Sequence, residues 1–71
     1  MKTAYIFLAD GCEEVEALTV VDILRRGKVD INTVSITDKL QISSSHKVTL
    51  NADMIIDDIK EKADMIILPG G

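Results

Sequence analysis

Apolar residues recur along this chain with two different periods. Residues 3 to 9, TAYIFLA, form a short apolar run with β-favouring Thr, Tyr, Ile and Phe. Bounded by Asp10-Gly11, the run reads as a buried strand. From residue 13 the period lengthens. At about 100° per residue, Ala17, Val20, Val21 and Leu24 make the centre of an apolar arc, with Leu18 and Ile23 on its flanks. Thr19, Asp22 and Arg26 lie opposite. The pattern predicts a helix from 13 to about 26. Asp10 and Glu13 have the spacing of a capping box, and acids in the first turn suit the helix dipole. Arg25 and Arg26 suit the last turn, Gly27 is placed as a left-handed cap, and Asp22–Arg26 is a favourable i,i+4 pair.

VDINTVSI, residues 29 to 36, reads as a second strand, so the first half predicts a right-handed βαβ unit with a parallel sheet. In TDKLQISSSHKVTLNAD, QIS and HKVTL read as two short strands around Ser43 to Ser45, an excursion at the sheet edge. IDDIKEKA reads as a short charged helix, and DMIILPGG as a third parallel strand with its exit loop. ADMII occurs at 52 to 56 and again at 63 to 67. The repeat is too short for a solenoid and reads as coincidence, one pentapeptide free to adopt two conformations.

Composition narrows the class. The chain has 71 residues, 46% of them hydrophobic, with one Phe, one Tyr and no Trp. Such an aliphatic balance fits a buried parallel sheet under helices. A chain this short makes at most one small domain. Its single cysteine, Cys12, excludes an internal disulfide, and one histidine with scattered carboxylates gives no zinc spacing. The formal net charge of -4 and a basic cluster confined to Arg25, Arg26 and Lys28 argue against a nucleic-acid footprint. No apolar run reaches the roughly 18 residues of a membrane span, and acid follows the N-terminal apolar stretch where a signal peptide needs small residues. These features predict a soluble, cytoplasmic α/β piece.

Candidate chemistry gathers at one edge. Glu16 projects between Val20 and Ile23, inside the apolar arc. It is either a rim residue reaching water or a partly buried acid with a raised pKa. Glu13 and Glu14 have a simpler role as dipole partners. In an open parallel sheet ligands bind at the carboxyl ends of the strands. The DGCEEVE turn follows the first strand and the PGG turn follows the third, which puts both on that edge. Gly70 and Gly71 lack a Cβ, so their backbone N–H groups can approach a ligand or an oxyanion; the plainer reading is an ordinary turn. Cys12 lies beside three glutamates, which suppress a thiolate, and reads as a small residue at the helix start.

FLADGCEEVEALTVVDILRRG, followed at this distance by ADMIILPGG, resembles the N-terminal part of the ThiJ/PfpI family, and the similarity runs over all 71 residues. That family includes the parkinsonism-associated protein deglycase and bacterial relatives, within the class I glutamine-amidotransferase-like superfamily. The resemblance implies a flavodoxin-like (Rossmann-like) parallel-sheet sandwich, of which residues 1 to 71 form the N-terminal part of a single domain whose remainder is absent from this chain. It matches Glu16 to the family's active-site glutamate, which holds a hydrogen bond to a reactive cysteine, and Gly70 and Gly71 to the glycine pair of the oxyanion hole. The nucleophile itself lies farther along than this chain runs. His46 sits where relatives often place Arg or His near the partner subunit's site; a solvent-exposed turn histidine is the alternative. Arg26 is a second possible dimer or site contact. Relatives often carry Pro where this chain has Val20, and Ala-Gly where it has Gly27-Lys28.

The resemblance implies an enzyme acting on reactive carbonyls or glycated substrates, as glyoxalase or deglycase, with chaperone-like or redox-sensing protection as attributed roles. Thiamine (thiazole phosphate) biosynthesis and intracellular protease are older family labels. It implies a homodimer through helix 13–26 and no metal or organic cofactor. A non-catalytic flavodoxin-like binding or regulatory module is the alternative, distinguished by whether a cysteine follows at a strand–helix elbow.

Overall fold

The structure is a computed structural model that describes residues 2–70. Its elements, in order, are β1 (Thr3–Leu8), α1 (Glu14–Arg26), β2 (Asp30–Ser35), β3 (Gln41–Ser43), β4 (Thr49–Asn51), β5 (Met54–Ile55), a 3-10 turn (Ile56–Asp58) and β6 (Met65–Ile67). Four strands form a parallel sheet in the order β5-β2-β1-β6. β1 lies inside it because its side chains serve both faces. Ala4, Ile6 and Leu8 are buried on one, and Tyr5 and Phe7 are half-buried on the other. Ala17 and Val21 of α1 join Ala4, Ile6, Leu8 and Ile31 in one apolar cluster, with Val20 and Leu24 packed against it. The predicted arc is therefore the buried face, and its flanks Leu18 and Ile23 stay exposed.

Both ends of α1 differ from expectation. No capping box forms: Glu13 is the N-cap residue without a side-chain hydrogen bond. Asp10 is drawn off instead, its Oδ1 accepting the Ser43 N–H at 2.9 Å. At the other end Gly27 has φ -81°, and the left-handed residue is Lys28 at φ 64°. Lys28 N–H donates to Arg25 O and Val29 N–H to Leu24 O, the two bonds of a Schellman motif. The motif needs its left-handed residue one position beyond the glycine, so the glycine stands one residue early.

β3 and β4 pair antiparallel, but as a separate two-stranded sheet rather than at the edge of the main one. The edge is taken by β5, a two-residue strand the hydrophobic pattern did not reveal. The hairpin docks on the turn after β1: Gly11 N–H donates to Ser43 O and Ser45 N–H to Cys12 O. This places Ile42, fully buried, in the cluster with Cys12 and Ala17. IDDIKEKA does not become a helix; one 3-10 turn forms and Ile59 is already extended. Eight residues with five charges gain little as a helix, and the segment must cross from β5 to β6 on the opposite edge of the sheet. Tyr5 Oη ties the crossing down by donating to Glu61 O at 3.0 Å.

The two ADMII copies occupy similar places in the sheet. Each copy starts an edge strand in the same way. Asp53 N–H donates to Thr33 O, and its Oδ2 accepts from Thr33 N–H at 2.9 Å and Oγ1 at 3.0 Å. Asp64 N–H donates to Thr3 O, and its Oδ2 accepts from Thr3 N–H at 2.9 Å. Asp-Thr latches thus start both edges of the sheet, and the copies diverge at their last residue: Ile56 enters the 3-10 turn, while Ile67 continues β6.

Candidate functional site

All four strands of the main sheet run parallel, so the turn after β1 and the loop after β6 leave from the same edge. The two are joined there: Glu13 N–H donates to Gly70 O at 2.9 Å. An orphan donor of the helix N-terminus thereby holds the Pro-Gly turn. A cavity of about 160 Å³ opens between them, lined by Phe7, Ala9, Asp10, Cys12, Pro69 and Gly70 among others.

Glu16 stands in the first turn of α1 and is exposed, the rim reading of the sequence. Its carboxylate reaches back over the turn, with Oε2 against the Cα of Gly70: a Cβ there would lie 2.5 Å away. The structure therefore brings Glu16 and Gly70 together, as their places on one sheet edge predict. Gly71 lies outside the described residues.

Cys12 lines the same cavity but is buried at 5% exposure. Burial pushes its thiol pKa up, and the charge of Glu14 adds to the effect. It is not poised as a nucleophile.

His46 is exposed but not free. Its Nδ1 lies 2.7 Å from Oε1 of Glu14, and Ser45 Oγ donates to Oε2 at 3.2 Å. The hairpin tip that presents it is closed by Lys47 N–H to Ser44 O, with Lys47 left-handed at φ 62°. Glu14 is held below the usual carboxylate range, first by its own backbone N–H and then by His46. Sequence reasoning treated Glu14 as a dipole partner and missed this pairing; the polar run Ser43 to His46 was the only signal, and it named no partner. Ligand atoms of Glu13, Glu14 and His46 come within 4.8 Å of one another, the one such trio among the described residues. The His46–Glu14 hydrogen bond accounts for its closeness without an ion. Arg26 is elsewhere: its Nε pairs with Asp22 Oδ1 at 3.0 Å on the exposed face, ten residues along α1 from Glu16.

No helix among the described residues is long and apolar enough to cross a membrane. Comparison with known proteins bears on the whole arrangement. The model of the DJ-1/PfpI family matches residues 2–71. Protein DJ-1 homolog A of Arabidopsis thaliana is 40% identical over 65 residues, covering 90% of this chain and 17% of that protein. Among solved structures, oxidized DJ-1 of Toxoplasma gondii superposes with a TM-score of 0.97 at 30% identity, covering 100% of this chain and 39% of that one. A DJ-1 superfamily protein of Salmonella typhimurium gives 0.96 at 35% identity, over 100% of this chain and 39% of that one. The chain thus spans about two-fifths of the length of these structural relatives, with the parallel sheet and flavodoxin-like fold they share, and it belongs to the DJ-1/PfpI family.

Proposed function

We propose that this chain is the N-terminal part of a cysteine-dependent enzyme acting on reactive carbonyls, as glyoxalase or protein deglycase, in stress protection in the cytoplasm. Glu16 holds a hydrogen bond to a nucleophilic thiol supplied by a later part of the protein. Gly70 and Gly71 offer backbone N–H groups to the developing oxyanion. The observation that carries the reading is the carboxylate of Glu16 lying against Gly70 at the strand ends. This is where an open parallel sheet binds its ligands. No organic cofactor or metal enters the scheme. Exposed Val15, Leu18 and Ile23 on α1 support a homodimer through that helix.

The test is Glu16→Gln in the complete protein. The amide keeps shape and hydrogen bonding but cannot share a proton with the thiol. Turnover of methylglyoxal should fall about 10²-fold or more, and the pH profile of thiol alkylation should move upward. Asp57→Asn, on the exposed 3-10 turn, should change neither. Equal behaviour of the two variants removes Glu16 from the site and leaves the binding-module alternative.

A further inference from the structure

Among the described glycines, Gly70 alone is short of room. A Cβ on it would lie 2.5 Å from Glu16 Oε2 and 3.4 Å from its Cδ. On Gly27 the nearest atoms would stand at 3.6 Å, and on Gly11 nothing lies within 4 Å. Gly11 is needed for its φ of 89°. Gly70 has no such backbone demand, because its φ is outside the left-handed region. What this position requires is space, and the group that needs it is one carboxylate. The turn is also tied in place, because Gly70 O accepts from Glu13 N–H. Both partners of the close contact are therefore tied to the first turn of α1.

We infer that Gly70 is a positioning residue for Glu16: its missing Cβ forms the slot in which the carboxylate lies, and the Glu13–Gly70 bond sets the depth of that slot. The inference rests on the reading of Glu16 as the acid of the site. It gives Gly70 a role separate from any N–H donation to substrate. The obstructed atom is the far end of a flexible side chain, so an added methyl displaces it rather than the backbone. Gly70→Ala therefore leaves the fold intact and moves Glu16. For a catalytic group, displacement by an ångström is a large perturbation.

A double-mutant cycle in the complete protein tests this. Gly70→Ala should move the pH profile of thiol alkylation toward that of Glu16→Ala, with Tm within about 4 °C of the parent. Added to Glu16→Ala, it should change the profile no further. An effect that persists at full size without the Glu16 carboxylate would assign Gly70's role to its own backbone and overturn the inference. So would a Gly70→Ala protein with the parent profile. If Glu16→Ala itself keeps the parent profile, the proposed reaction fails, and nuclear Overhauser contacts decide the positioning separately. Contacts between the Glu16 side chain and Gly70 Hα, present in the parent and lost in Gly70→Ala, uphold it; their absence from the parent overturns it.

Discussion

Cys12 and Glu14 are adjacent in space and pull in opposite directions. The thiol is buried, and its pKa rises through that burial and through the neighbouring charge. It should react with a disulfide reagent at pH 7 at least about tenfold more slowly than a free thiol, and at the free rate once the protein is unfolded in denaturant. Comparison of the parent with Cys12→Ala separates this thiol from any other in the complete protein. Glu14 has a lowered pKa, so its stabilising effect is fully present above its ordinary value of 4.5 and is lost as pH falls through the folded value. Asp64, lowered first by the Thr3 backbone N–H, acts with the same sign below 3.8. Denaturant midpoints measured from pH 6 to pH 3 should fall more steeply for the parent than for Glu14→Gln. Parallel curves would show that the contacts of Glu14 do not persist in solution.

At the scale of elements, the helix C-terminus and the two latches carry the testable energetics. Lys28 pays for a left-handed backbone that glycine adopts freely, while Gly27 is in a conformation any residue accepts. A Cβ on Gly27 meets only ordinary contacts at 3.6 Å. Gly27→Ala and Lys28→Gly should each stabilise by about 0.5–1 kcal/mol, read as a rise in Tm; a loss from either would mean the Schellman geometry is wrong. Asp53→Ala strands the part-buried Thr33 N–H and releases Arg25. It should cost about 1–3 kcal/mol, toward the lower end because Asp53 is partly exposed. These features also mark where the sequence was legible. β1, α1, β2 and β6 follow from local periodicity and punctuation. β5 does not, because a two-residue strand has no period and exists only where the free edge of β2 accepts it. The repeated ADMII was visible, but its meaning lay in Thr3 and Thr33, which only the sheet brings alongside. In the site, Glu16 and Gly70 were legible because parallel topology puts both on one edge. The Glu14–His46 bond, 32 residues apart, was not, since it depends on the hairpin folding back over Cys12.

At the scale of the whole molecule, two apolar surfaces stay uncovered among the described residues. One is the outer flank of α1, with Val15 at 68% and Ile23 at 59% exposure. The other lies on the sheet face away from α1, where Tyr5, Phe7 and Ile66 line a groove of about 330 Å³. Accessible surface totals 4805 Å², roughly a tenth above the ~4,400 Å² usual for a folded monomer of this mass. Among the described residues β6 also leaves one edge unpaired at the end of the sheet order, with Met65 and Leu68 exposed beside it. Unpaired edges beside apolar surface favour association with other chains. The structural relatives are about two and a half times as long, so each has further chain with which to cover such surfaces. The 71 residues expressed alone should therefore self-associate or give broad amide resonances, with no sharp thermal transition. In the complete protein the sheet face should be protected from hydrogen exchange, while the flank of α1 remains for a second copy. Leu18→Glu should then reduce the mass measured by light scattering from dimer to monomer without lowering the Tm of the monomer's core. A sharp, cooperative transition for the isolated 71 residues as a monomer would show that the exposed faces need no partner, and would remove the physical argument for both the missing cover and the dimer.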